Sequence, residues 1–284
     1  MYRGSIHNQR EAKWSTLLRG SWFLRMSDLQ EPESLPQESE ALRTYLKHGR
    51  LVILTGTIFP QATQDLQRFE PSKRRKDYES ALIWWRRSCE RLELDLLFAE
   101  NSDPTLGDWV PEGIHSLYLP STHESNFGKG RGEFDLIRNV LNVLSNEAIE
   151  CQWIAKCTGR LTVRNLAKII PVINSEDFVV GRLSRDLTSL DSRFVVASEK
   201  AWSHTLLVSE DKLDDSAGQF LEQLWAHNLL SSISDGTVFL PFKRVPQYKG
   251  FSGTSDFKYH SVKRKIGVYF EDLANYAIEA GKRT

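Results

Sequence analysis

The chain of 284 residues has few cysteines, no net charge and no long apolar run. Cys89, Cys151 and Cys157 are odd in number and lack Cys-x-x-Cys spacing, which argues against a disulfide framework or a zinc site of ordinary spacing and for a reducing cytoplasm. Thirty-seven basic residues cancel 37 acidic ones. No whole-surface field of the kind that gathers DNA or RNA follows from that balance, and nucleic acid is not an expected partner. The apolar clusters are far shorter than the ~20 residues that span a bilayer. The cluster at 17–24 is interrupted by Arg19 and followed by Arg25, so neither a membrane span nor a signal peptide is expected. The glycines of segment 128–133 have neither the dinucleotide-fingerprint nor the Walker spacing, and no internal repeat is present.

What is present is an alternation of short apolar runs with helical periodicity. Residues 51–54 have strand length, and Tyr78, Ala81, Leu82, Trp85, Cys89 and Leu92 then fall on one helical face. Further strands are predicted at 94–99, 117–119, 151–156, 178–180, 194–197 and 238–240. Helices are predicted around Phe134, Ile137, Leu141 and Leu144, around Phe220, Leu221, Leu224, Trp225 and Leu229, and over 269–278. This order predicts an α/β fold with a mixed, mainly parallel sheet flanked by helices. Residues 1–45 read as an appendage ending in a Glu- and Pro-containing linker, ahead of one catalytic-size domain at 46–284. Within the appendage, Trp14, Leu17, Leu18, Trp22 and Phe23 either cover an edge of the main domain or touch a membrane surface or a partner, as residues 14–25 could do at the inner face of the membrane.

Several segments place small and polar residues at strand ends or helix starts, where an open α/β sheet builds a ligand crevice. Thr55 and Thr57 end the first strand, and Glu100, Asn101 and Asp103 end the second. Glu100 or Asp103 could hold ribose hydroxyls, or the segment is a turn with a helix cap. Residues 128–133 offer Lys129, Arg131 and glycine backbone N–H groups to a diphosphate, or are a connector. Lys156 and Arg160 flank a small turn, and a lysine at a strand end calls for an anion. Asp191 could ligate a divalent ion, or pair with Arg193. Glu222 near a helix start could be a general base or a surface residue. The loop at 250–254, with Ser252, Gly253 and Thr254, permits close backbone approach to a ligand or simply turns. His260 has no metal-ligand neighbours in sequence.

Taken in order, these segments resemble a family of bacterial polysaccharide-biosynthesis glycosyltransferases with a GT-A-like, Rossmann-like nucleotide-diphospho-sugar fold. The resemblance covers roughly residues 50–260. It rests on Thr-x-Thr-x-x-Pro at 55–60, Arg75 and Tyr78 opening the first helix, and Glu-Asn-Ser at 100–102. It continues with Gly-Lys-Gly-x-Gly-Glu at 128–133, Lys-x-Thr-Gly-Arg at 156–160, Asp-Ser-Arg at 191–193, Glu222 and Gly-x-Ser-Gly-Thr at 250–254.

The resemblance implies transfer of a sugar from a nucleotide-sugar donor to a glycan or lipid-linked acceptor. It implies donor binding by Thr55, Thr57, Arg75, Glu100, Asn101, Asp103, Lys129, Lys156 and Arg160, with Glu222 taking the acceptor proton. Where most such enzymes carry Asp-x-Asp, this chain has Asp191-Ser-Arg193. Either Mg²⁺ or Mn²⁺ held through Asp191 and the donor, or fixed arginine and lysine, would neutralise the leaving diphosphate. A nucleotidyltransferase, or a non-catalytic glycan-binding or assembly protein, remain the alternatives.

Overall fold

In a computed structural model of the chain, residues 36–60, 66–120, 128–173, 175–253 and 258–259 are described. The expected membrane-touching segment at 14–25, Thr254, His260 and the helix at 269–278 lie outside the described residues. The elements run α1 (Pro36–Tyr45), β1 (Arg50–Gly56), α2 (Pro71–Leu92), β2 (Asp95–Glu100), β3 (His115–Tyr118), α3 (Lys129–Asn146), β4 (Trp153–Thr158) and β5 (Thr162–Val163). They continue with α4 (Leu166–Ile169), β6 (Phe178–Gly181), β7 (Phe194–Ala197), α5 (Glu199–Ala201), α6 (Leu221–Ser234), β8 (Val238–Pro241) and β9 (Tyr248–Lys249). Seven strands form one sheet in the order β3-β2-β1-β4-β7-β6-β8, and β5 pairs with β9 apart from it. Within the seven, β7 alone runs antiparallel to its neighbours β4 and β6. The expected mainly parallel α/β sheet between helices is therefore the observed architecture.

The alternation of side chains along each strand assigns the layers. Val52, Leu54, Leu96, Phe98, Ala155 and Cys157 point to the face covered by Tyr78, Leu82 and Trp85 of α2. Leu51, Ile53, Leu97, Ala99, Ile154 and Val195 point to the other face. That face is covered by Phe134, Ile137 and Val140 of α3 and by Leu221, Trp225 and Leu229 of α6. Because both faces are covered, β1 and β2 read as unbroken apolar runs. Two indoles spend their N–H groups on buried backbone: Trp85 Nε1 donates to Leu161 O, just before β5, at 2.8 Å, and Trp202 Nε1 to Ile154 O of β4 at 2.9 Å.

Helix α2 starts at Pro71, four residues before Arg75, because proline fits the first helical turn, where its missing N–H is not needed. It stops where Glu93 turns left-handed, at φ 52°. Part of the stretch expected as linker is helical: α1 covers Pro36–Tyr45, and its Leu42 is buried among the residues of the α3 face.

Candidate active site at the strand ends

From β1 the chain crosses to β2 and β3 on one side, and β4 returns to the other side of β1. The connections thus diverge between β1 and β4, and in open α/β sheets the crevice outside the carboxyl ends at such a point takes the ligand. Thr55 and Thr158 sit side by side there in register. Antiparallel β7 brings its starting residues to the same edge, with Thr158 N donating to Arg193 O at 3.1 Å.

On the α3 side of this edge lies a connected set of charges. Lys156 is fully buried, and its Nζ lies 2.5 Å from Glu133 Oε1 and 2.6 Å from the Ser192 carbonyl. The anion that the sequence required for this lysine is thus supplied by α3. Thr55 Oγ1 donates to the same Glu133 oxygen at 3.0 Å. Burial alone would raise the Glu133 carboxyl. The charges of Lys156 and Lys129, with the hydrogen bonds from Lys156 and Thr55, outweigh it and hold the group below the usual carboxylate value. Ser192 Oγ donates to Glu222 Oε1 at 2.5 Å, which fixes the rotamer of a half-buried carboxylate at the first turn of α6. Its second oxygen has no hydrogen-bond partner among the described residues.

Segment 128–133 is not a turn ahead of α3 but its N-cap and first turn. Its glycines admit another carboxylate: Gly130 N donates to Asp215 Oδ2 at 2.7 Å, and a Cβ on Gly128 or Gly130 would strike Asp215. The helix N-terminus therefore meets Asp215. Burial, with the nearby Glu222 charge, pushes the Asp215 carboxyl up against the lowering effect of the Gly130 N–H. Lys129 is exposed and has no ion pair among the described residues. Arg131 is buried and turned away, paired with Asp135 and Glu210.

The loops after β1 and β2 are knitted together. Glu100 is fully buried and accepts from Ile58 N, Ser102 N, Ser102 Oγ and Asp103 N. Asp103 accepts from Arg75, Thr105 and Trp109 Nε1. Glu100 and Asp103, either of which could hold ribose hydroxyls or form a turn, are engaged with these donors, and Arg75 is paired with Asp103. Asn101 is half-exposed, bonded to Thr57 Oγ1 at 2.9 Å.

On the α2 side, Gly159 packs so closely on β1 that a Cβ would lie 2.8 Å from Thr55 O and 3.1 Å from the Tyr78 ring. Arg160 follows, buried, with Nε donating to Phe251 O at 3.2 Å. Gly253, in the loop that permits close approach to a ligand or simply turns, lies against this guanidinium. Ser252 is half-exposed beside it. Arg74, which the sequence reading passed over, is also buried and donates from Nε to Thr57 O at 2.7 Å.

Asp191 gives both oxygens to the Arg193 guanidinium, whose charge also lies 4.5 Å over the Tyr248 ring and 5.2 Å over that of Tyr259. Among the described residues no group of three His, Cys, Asp or Glu converges to hold a metal. Both Asp191 oxygens are engaged in this fork with Arg193. The thiols offer no nucleophile at neutral pH: burial pushes Cys89 and Cys157 up, and Cys151 up to about 12.

No family model and no curated protein matches the chain. Among solved structures it is similar to a protein of Desulfovibrio desulfuricans named for nucleotide-diphospho-sugar transfer, at 9% identity and TM-score 0.42, over 69% of this chain and 80% of that one. A glycosyltransferase involved in glycosylating the major capsid of PBCV-1 is similar at 9% identity and TM-score 0.43, over 69% and 84%. The inositol-1-phosphate CTP transferase of T. maritima is similar at 10% identity and TM-score 0.41, over 79% and 97%. At these identities and scores the likeness carries no information on chemistry.

Proposed function

We propose that the protein is a nucleotide-sugar-dependent glycosyltransferase that binds its donor across the carboxyl ends of β1 and β4. The observation that carries this reading is the division of charge at that edge. Among the described residues, Glu222, with one oxygen fixed by Ser192 and the other without a partner, stands on the α6 side, while Arg160 stands on the α2 side without a carboxylate. Base and ribose lie against Thr57 and Asn101, whose polar groups are only half-buried. The diphosphate is met by Arg160 and by Lys129, which is exposed at the start of α3.

In an inverting transfer, Glu222 takes the proton of the acceptor hydroxyl as its oxygen bonds to the anomeric carbon. The bond from that carbon to the diphosphate oxygen breaks, and the electron pair leaves with the diphosphate, where fixed cations stabilise the developing charge. Lys156 does not take part directly. It is a positioning residue, holding the Ser192 carbonyl and thereby the hydroxyl that orients Glu222.

The acceptor is a glycan or a lipid-linked glycan in polysaccharide synthesis. The reaction is placed in the cytoplasm. Among the described residues no helix is long and apolar enough to cross a membrane.

A panel of nucleotide sugars in a thermal-shift screen, with and without manganese, followed by assay of donor hydrolysis, tests the reading. At least one nucleotide sugar should raise the melting temperature by mass action and be slowly hydrolysed without acceptor. Stabilisation by nucleoside triphosphates, with pyrophosphate release on adding a sugar phosphate, would instead identify a nucleotidyltransferase. Sugar binding without hydrolysis would identify a non-catalytic protein.

A further inference from the structure

Arg74 and Arg160 are two buried guanidinium groups that share one corner of the crevice and have no counter-ion among the described residues. Arg74 is 3% exposed and Arg160 6%. Among the described residues neither has a carboxylate within ion-pair distance, and all their hydrogen bonds go to neutral oxygens. Arg74 donates to Thr57 O, to Arg68 O at 3.0 Å and to Tyr78 Oη at 3.5 Å. Arg160 donates from Nε alone, to Phe251 O, leaving Nη1 and Nη2 without partners among the described residues. The two are close enough that Arg160, after burial and against the opposing effect of Tyr78, contributes to lowering the Arg74 pKa. Glu100, whose charge also acts on Arg74, is committed to its own four donors.

Burying two like charges side by side is unfavourable unless an anion joins them. The surrounding backbone is nevertheless built to keep them there. Gly250, at φ 138°, lets the loop pass over the Arg160 carbonyl, and Gly253 leaves room for its guanidinium. Arg68 N ties that loop down by donating to Gly253 O at 3.2 Å, and the Arg68 guanidinium lies 4.2 Å over the Phe251 ring while paired to Asp77. Arg74 itself sits in the first turn of α2, whose N-terminus adds positive potential to the same corner.

We infer that Arg160, backed by the fixed charge of Arg74, is a phosphate seat that takes a dianionic group of the ligand through the free fork of Arg160. Naming that group as the donor's diphosphate rests on the function proposed above; the seat itself does not. The planar fork matches two phosphate oxygens at once, which a lysine cannot do. Arg74 acts through the local potential, since each of its three nitrogens already donates to backbone or Tyr78.

The test compares melting temperatures of the full chain and of R160M, with inorganic pyrophosphate against sodium chloride at equal ionic strength. Pyrophosphate is expected to raise the melting temperature of the parent by several degrees and to leave R160M unchanged. Without pyrophosphate, R160M should be at least as stable as the parent, because an uncompensated buried charge has been removed. Should R160M fail to fold, R160K carries the test through affinity: pyrophosphate binding at least about tenfold weaker is expected. Equal stabilisation of parent and variant, no stabilisation of the parent, or equal affinity of R160K would overturn the seat. The two proposals fail separately. Nucleotide sugars that bind parent and R160M alike leave the glycosyltransferase reading standing without the seat. Pyrophosphate binding to the parent alone, with no nucleotide bound, leaves the seat without that reading.

Discussion

Lys156 and Glu133 close an ion pair beneath the β1–β4 edge, Nζ to Oε1 at 2.5 Å, with the lysine wholly removed from water. Removing one partner leaves the other charged and buried. Lys156→Met is therefore expected to cost about 3–5 kcal/mol, while the double change with Glu133→Leu restores much of that loss. Urea midpoints of the two variants measure it; a double variant no better than the single one would show that the pair is not the unit of stability.

The same pair sets an acid limit. The Glu133 carboxyl is held down in the folded protein, since Lys156, Lys129 and Thr55 outweigh the opposing effect of burial. Its contribution to stability is thus complete above the unfolded carboxylate value, about 4.3, and is lost as pH falls through the lower folded value. The gap in urea midpoint between the parent and Glu133→Gln should be constant above about pH 5 and shrink below about pH 4. A gap that widens on acidification contradicts the assignment.

Glu222→Gln keeps the hydrogen bond from Ser192 Oγ and removes basicity. Nucleotide affinity should survive while transfer falls by about 10²–10⁴. Parental transfer rates in this variant, or a product with retained anomeric configuration, would remove Glu222 from the role of base.

Gly159→Ala tests the close contact at the crevice. The new Cβ would meet Thr55 O at 2.8 Å and the Tyr78 ring at 3.1 Å, and the carbonyl belongs to a central strand that cannot retreat. A loss of about 1–3 kcal/mol is expected. Parental stability by chemical denaturation would mean that the strand ends are looser than they look.

What was legible in the sequence is what depends on local period. The run at 51–54 and the spacing of Tyr78, Ala81, Leu82 and Trp85 gave β1 and α2, because both elements bury a regular face. The partner of Lys156 was not legible, since Glu133 lies 23 positions away on another element and only the fold brings α3 over β4. Arg74 carried a usable signal: it precedes Tyr78 by four residues and so lies on the buried face of α2. Arg75, one step further round the helix, reaches Asp103 instead. Adjacent arginines look equivalent in sequence, and helical geometry separates them. Nor could sequence show that Asp215 would occupy the N-terminus of α3, because the glycines that admit it at 128 and 130 are equally suited to a bound phosphate.

A crystal structure with a bound nucleoside diphosphate, the leaving product of the proposed transfer, tests the central claim most directly. The expected result is a nucleotide lying outside the carboxyl ends of β1 and β4, base and ribose toward Thr57 and Asn101, and the diphosphate within hydrogen-bond reach of Arg160. Ordered nucleotide elsewhere on the molecule, with that edge of the sheet empty, would contradict the account.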